Sequence, residues 1–180
     1  MCTRTARACS RWMAVAVCAG AFAASMPAPV GAADGNKACW LLTPAELQIV
    51  LGTTVSLSGG GGGMAAGGAD LCTGQTSTAT VRLRLSTGLD PGRDRSGGTE
   101  TGGIEAVKQM GIQVDVKTFG PITCSTMVPP ANLAQHGFNT TCTVSKPTAI
   151  AGVEVTAKSQ HDMVSIERLH PLAEKMASRF

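Results

Sequence analysis

His136, His161 and His170 are the only imidazoles in the chain, and His161 stands beside Asp162 and two residues after Ser159. A serine, a histidine and a carboxylate are the groups of nucleophilic acyl transfer, in which the imidazole takes the hydroxyl proton and the carboxylate orients the ring. Adjacent residues on an extended chain point to opposite faces, so Ser159, His161 and Asp162 converge only if a special turn gathers them. Neither a G-x-S-x-G elbow nor a Ser-x-x-Lys motif is present. Met110, Met127, Met163 and Met176, taken with His161, are the residue types of a copper site. Their spacing is not that of a cluster, and methionine as a filler of aliphatic cores accounts for them better. The sequence therefore assigns no catalytic residue, no cofactor and no metal site.

The groups best suited to binding are arginines. In Ala79–Ser86, Val81, Leu83 and Leu85 alternate with Arg82 and Arg84, the pattern of a half-buried strand with two guanidinium groups on its outer face. Such a pair can hold an anion, although a solvated strand face is the more common explanation. The following stretch, 87–103, is a long polar loop containing Asp90, Arg93, Asp94 and Arg95. Loops of that length in a small domain tend to be mobile or functional, so these four residues join Arg82 and Arg84 as the candidate binding set. The acids are too few and wrongly spaced for a calcium loop. A second glycine-rich stretch, 58–68, includes five consecutive glycines. It has neither the strand and helix flanks nor the Lys-Ser/Thr of a phosphate-binding loop, and it reads as a connector.

Seven cysteines divide into three in an N-terminal leader and four in the body. The leader carries Arg4, Arg7 and Arg11 without an acid. An apolar run from Met13 to Ala24 follows, then Pro27 and Pro29, then the small residues around Val30-Gly31-Ala32. That is the layout of a cleaved export signal over residues 1–32, too short and too soon interrupted to span a bilayer. Val17 before Cys18 makes a poor lipid-attachment site, so anchoring is disfavoured and the expected location is the periplasm or the medium. Disulfides form in those spaces. Cys124 follows Ile122 at strand spacing and Cys142 precedes Val144 likewise, so both share a side with core residues. Cys124–Cys142 is the expected bridge, with Cys39–Cys72 by remainder. No C-x-x-C motif and no Cys/His cluster at zinc spacing competes with it.

Without its leader the chain holds as many Lys and Arg as Asp and Glu, 12 of each. Nucleic-acid binding needs a basic face, usually with aromatic rings for stacking. Here the body offers only Trp40, Phe119, Phe138 and Phe180, and the chain has no tyrosine. Nucleic acid is excluded as a partner, and carbohydrate is disfavoured. The expected partner is an envelope protein or a small ligand, bound by a monomer that meets the membrane only through its transient leader.

The elements that must position these groups are legible in part. Thr43-Pro44-Ala45-Glu46 combines an N-cap, a proline at the first helical position and a capping-box glutamate, and it predicts a helix over 44–51 ended by Gly52. Strands are expected over 53–57, 79–86, 112–117, 122–127, 138–145 and 150–157, with a short helix over 104–110. Ile166, Leu169, Ala173, Met176 and Phe180 recur at helical spacing behind Ser165, a candidate cap. Pro171 falls inside that helix, which must kink there or begin later. Residues 33–180 form one α+β domain: an antiparallel sheet of about five strands, with a short N-terminal and a longer C-terminal helix on one face and two disulfides.

The opening Cys39-Trp40-Leu41-Leu42-Thr43-Pro44-Ala45-Glu46, followed by Leu51-Gly52 and Cys72, resembles bacterial exported domains of unknown function that begin C-x-L-L-T-x-A-E. The closing valine-rich strand, Leu169-x-x-Leu172-Ala173 and Arg179 are similar to the last strand and helix of those domains. The resemblance covers residues 39–180, implies an α+β envelope domain, and implies no catalytic residue. Two functions are then open. One is a non-enzymatic envelope module that binds through Arg82, Arg84 and the 87–103 loop. The other is a small extracytoplasmic hydrolase working through His161 and Asp162.

Overall fold

The computed structural model of the protein describes residues 36–60, 69–89 and 102–180. The expected signal peptide, most of the glycine-rich connector, and Asp90, Arg93, Asp94 and Arg95 lie outside the described residues.

A 3-10 turn, Lys37–Trp40, leads into α1, Pro44–Leu51. Helix α1 begins as its sequence dictates. The Thr43 hydroxyl accepts from the Glu46 N–H, and the Glu46 carboxylate accepts in return from the Thr43 N–H at 2.9 Å. Gly52 ends the helix in the left-handed conformation, with φ 74°, where a side chain would be strained. Seven strands follow: β1 Ser56–Gly59, β2 Ala69–Gln75, β3 Ala79–Thr87, β4 Gln113–Phe119, β5 Ile122–Val128, β6 Phe138–Lys146 and β7 Ala149–Ala157. Helix α2, Gly102–Gln109, precedes β4 and packs on it, and α3, Ile166–Ala177, closes the fold.

All seven strands form one antiparallel sheet in the order β1-β2-β3-β7-β6-β5-β4. Two meanders, β1–β3 and β4–β7, are joined by the long β3–β7 seam at the centre. The sheet has seven strands, which corrects the expected count of about five. Each of the six segments read as strands contributes one, and the strand not foreseen is β2, whose Asp70 and Gly74 weaken its strand signal and whose start abuts the glycine run. Strand β1 also begins later than expected and extends to Gly59.

One face of the sheet carries the core. Cys72, Val81, Leu83, Leu85, Cys142, Val144, Val153 and Val155 are buried in one cluster with Leu47 of α1 and Leu169, Leu172 and Met176 of α3. Helix α3 packs on β5, β6 and β7, the 3-10 turn packs on β1, β2 and β3, and α1 packs on α3. The core is aliphatic. Gly74 belongs to it by necessity, because a Cβ there would lie 2.5 Å from Val55 Cγ1. Thr140 is fully buried and donates from its hydroxyl to the Val164 carbonyl at 2.6 Å. Ser165 caps α3, which begins at Ile166 and carries Pro171 within it.

Both disulfides form as expected. Cys39–Cys72 ties the N-terminal turn to β2, and Cys124–Cys142 joins directly opposed residues of β5 and β6. Two such bonds fit an oxidising, extracytoplasmic compartment. No helix among the described residues is long and apolar enough to cross a membrane.

Candidate functional site

The sheet's second face carries the arginines. Paired residues on adjacent antiparallel strands share a face, so the registers define two parallel rows across it. One row runs Thr73, Arg82, Glu154, Thr141, Ser125. The other runs Leu71, Arg84, Gly152, Thr143, Thr123. The strand pattern read in 79–86 thus does what it predicts, burying Val81, Leu83 and Leu85 while Arg82 and Arg84 stay exposed on the opposite face.

The two arginines differ in what they touch. Arg82 lies 3.5 Å from the Glu154 carboxylate. Glu154 also accepts from Asn139 Nδ2 at 2.8 Å and from the Thr156 hydroxyl at 3.3 Å, and Asn139 Oδ1 accepts from Thr141 at 3.0 Å. Arg82 is therefore tied into a polar network that spans β3, β7 and β6. Arg84 forms no hydrogen bond or ion pair with the described residues. Between Arg84 and Thr143 the cross-strand position is Gly152, which has no side chain to fill it. The result is a depression of about 440 Å³, the size of a small-ligand site, with Leu71, Arg82, Arg84, Thr143, Gly152 and Glu154 in its lining.

No family model, curated protein or solved structure matches this chain. What the site can do must therefore be read from its own chemistry. A planar guanidinium with five donors and no partner among the described residues is suited to a planar or tetrahedral oxyanion, and threonine hydroxyls can donate or accept beside it.

The Ser159, His161 and Asp162 set does not assemble as a triad. The Ser159 hydroxyl donates to Asp162 Oδ2 at 2.6 Å, and the Asp162 N–H returns a bond to Ser159 Oγ at 3.3 Å. The serine and the aspartate close a turn on each other, and His161 is exposed beside it with no hydrogen bond to either. The other imidazoles are elsewhere. His136 lies at the end of the 3-10 turn Ala131–His136 next to Gln135. His170, in α3, is partly covered by the Phe119 ring at 4.2 Å between centroids and lies 3.9 Å from Glu174. Met176 is buried in the core and Met110 is exposed. Among the described residues, no three His, Cys, Asp or Glu side chains are grouped to hold a metal.

Sequence reasoning missed the glycine seat and the Glu154–Asn139 network. A signal for the first exists: Gly152 interrupts the alternation of Ala149–Ala157 at a central strand position, on the face shared with Glu154 and Thr156. It also missed a second cavity, of 390 Å³, whose walls include Trp40, Leu41, Leu85 and Phe180 with Lys37 and Arg179 at its polar side. Trp40 is 58% exposed there. Of the cavity's two charged residues, Arg179 is already engaged by Glu46 and the Leu41 carbonyl.

Proposed function

We propose that the protein is a non-enzymatic binding module of the bacterial envelope, released to the periplasm or medium by removal of residues 1–32. It captures a protein or small ligand on the sheet face opposite the core, around Arg82 and Arg84. The observation that carries this reading is the contrast between the two arginines. Arg82 is neutralised within the sheet by Glu154, whereas Arg84 faces a depression with no partner among the described residues. An unpaired guanidinium beside a concavity is what a binding face needs, and it contributes little to the fold itself.

Other features support the same reading. The leader, the two disulfides and the resemblance of residues 39–180 to exported bacterial domains agree on an extracytoplasmic life. The bond from Ser159 engages Asp162, one of the two residues through which the hydrolase reading works. Without its leader the chain has no net charge by count, so attraction of a partner must come from local arrangement rather than from net charge.

The test is expression of the full chain with its leader, purification of the exported form, and capture from an envelope extract. The N-terminal peptide is expected to begin at Ala33 or Asp34. Capture by the parent protein is expected to fall when Arg82 and Arg84 are both replaced by alanine, and to survive His161→Ala. A turnover that His161→Ala abolishes in a folded protein would replace this reading with the hydrolase.

A further inference from the structure

We infer that the slot over Gly152 is a seat for a single carboxylate, held by Arg84 and Thr143, with the apolar body of its carrier resting toward Leu71. The inference rests on the binding-module reading and names the ligand chemistry of that face.

The first support is a glycine that the fold does not require. Strand β7 is central, paired on one side with β3 and on the other with β6 through nine consecutive residues each, with no bulge at position 152. Glycine inside such a strand is unfavourable, and where no bulge or bend explains it, close approach of another group does. A Cβ on Gly152 would meet only Cys142 O and Thr143 Oγ1, both at 3.8 Å, an ordinary contact. Gly74 in β2 is the opposite case, with Val55 Cγ1 at 2.5 Å from its would-be Cβ. Packing demands glycine at 74 and leaves position 152 free for a larger residue, yet glycine stands there, directly between Arg84 and Thr143.

The second support is charge. The strands place only three charged side chains on this face among the described residues: Arg82, Arg84 and Glu154. Arg82 and Glu154 offset each other, which leaves one positive charge, on Arg84. That matches a monoanion. A phosphate dianion would bring its second charge close to Glu154, one row away, at a Coulombic cost. The guanidinium edge fits a carboxylate with two parallel N–H donors, and the Thr143 hydroxyl supplies a third. Leu71, next to Arg84 on the side away from Gly152, gives the row an apolar end.

The same carboxylate chemistry can come from a free short-chain acid or from the C-terminus of a peptide. Titration of the exported, disulfide-bonded protein by amide and arginine side-chain NMR separates the two. The probes are isovalerate, acetyl-Gly-Leu, acetyl-Gly-Leu amide and inorganic phosphate. Saturable shifts centred on Gly152, Thr143, Leu71 and the Arg84 side chain are expected with isovalerate or with acetyl-Gly-Leu. Tighter binding of the peptide acid assigns a peptide C-terminus, and comparable or tighter binding of isovalerate assigns a free acid. Arg84→Gln is expected to weaken binding at least about tenfold. Gly152→Val is expected to abolish it while the folded spectrum persists, and Gly152→Ala serves if the valine perturbs the fold.

Equal binding of the acid and its amide overturns the inference. So do tighter binding of phosphate, unchanged affinity in Arg84→Gln, and the absence of any saturable shift. If these fail while capture from extract still depends on Arg82 and Arg84, the carboxylate seat is wrong and the binding module stands. If both fail, the face is only a solvated one.

Discussion

Glu46 and Arg179, 133 residues apart in sequence, meet in a two-point ion pair, with Arg179 Nη1 and Nη2 donating at 2.8 and 2.7 Å to the two carboxylate oxygens. The pair connects the first turn of α1 to the residues that follow α3, and Lys175 adds a second cation to Glu46 at 3.4 Å. Arg179 also donates to the Leu41 carbonyl. The N-terminal helix is thus clamped to the C-terminal one by charge as well as by the aliphatic contact between them.

The first prediction concerns pH. Arg179's hydrogen bonds, acting against partial burial and helped by Thr43, lower the Glu46 carboxyl from 4.5 to about 2. A carboxyl whose folded pKa is depressed adds stability above its unfolded pKa and loses it as pH falls through the folded one. The contribution should therefore be full above pH 4.5 and drain away between there and about pH 2. Glu167, bonded to Lys117 at 2.6 Å, is lowered into the same window and adds to the slope. Glu46→Gln keeps the helix cap and removes the charge. It is expected to cost about 1–2 kcal/mol at neutral pH after allowance for solvent screening. It should also flatten, without abolishing, the acid decline in urea unfolding measured from pH 6 to pH 2. An unchanged acid profile would show that the ion pair adds nothing to the fold.

Two glycines give opposite outcomes for the same substitution. Gly74→Ala forces a Cβ to within 2.5 Å of Val55 Cγ1 and 3.1 Å of Leu57 Cδ2 in the packed layer. Overpacking of that kind is expected to cost about 1–3 kcal/mol. Gly152→Ala enters free space on an ordinary strand backbone and is expected to stabilise by about 0.5–1 kcal/mol. Denaturant midpoints of the two variants against the parent check this, and midpoints that move together contradict it.

How much of this was legible in the chain depends on the range of the interaction. The cap of α1, from Thr43 to Glu46, and the cap of α3 at Ser165 are local, and the residue types declare them. The Cys124–Cys142 bridge was readable because both cysteines fall in step with core residues of their strands. Strand β2 was not, because Asp70 and Gly74 are poor strand formers and only its neighbours on both sides make it a strand. In β4 the alternation of Val114 and Val116 with Asp115 and Lys117 is visible, but not which side faces the helices. The register puts Lys117 opposite Cys124, on the helix-covered face, where it reaches Glu167, and leaves Val116 on the other face, 41% exposed. A charged residue turned inward on an edge strand guards that edge against pairing with another chain. In the candidate site, Arg82 and Arg84 were visible as residues, but Glu154's claim on Arg82 alone comes from the pairing of β3 with β7.

The disulfides should differ in what they hold. Cys39–Cys72 closes a loop over 33 residues and ties the N-terminal turn to the sheet, while Cys124–Cys142 spans 18 residues between strands already paired. Loop-closure entropy gives each about 3–4 kcal/mol and separates them by only about 0.5 kcal/mol. The difference expected in hydrogen exchange is one of place. Replacing Cys39 and Cys72 by serine should speed exchange in β1, β2 and the N-terminal turn and leave β5 and β6 protected. Replacing Cys124 and Cys142 should do the reverse. A thiol count on the exported, unreduced, denatured protein should be zero, and free thiols there would remove the oxidising compartment from the account.

The last prediction separates structure from catalysis at the 159–162 turn. Ser159 Oγ both donates to Asp162 Oδ2 and accepts from the Asp162 N–H, so the turn is closed by these two side chains and their backbone. Asp162→Ala takes away the acceptor of the Ser159 hydroxyl and leaves the backbone N–H bond to Ser159 Oγ in place, and is expected to destabilise by about 0.5–1.5 kcal/mol. His161 is exposed on the same turn, and His161→Ala is expected to change stability by less than about 0.5 kcal/mol. A serine whose proton is directed at a carboxylate lacks the imidazole base of a Ser-His-Asp triad. Exported protein offered activated esters should therefore react at one rate in the parent, His161→Ala and Ser159→Ala forms. A burst of acylation in the parent that Ser159→Ala removes would mean that the turn opens to bring His161 onto the hydroxyl.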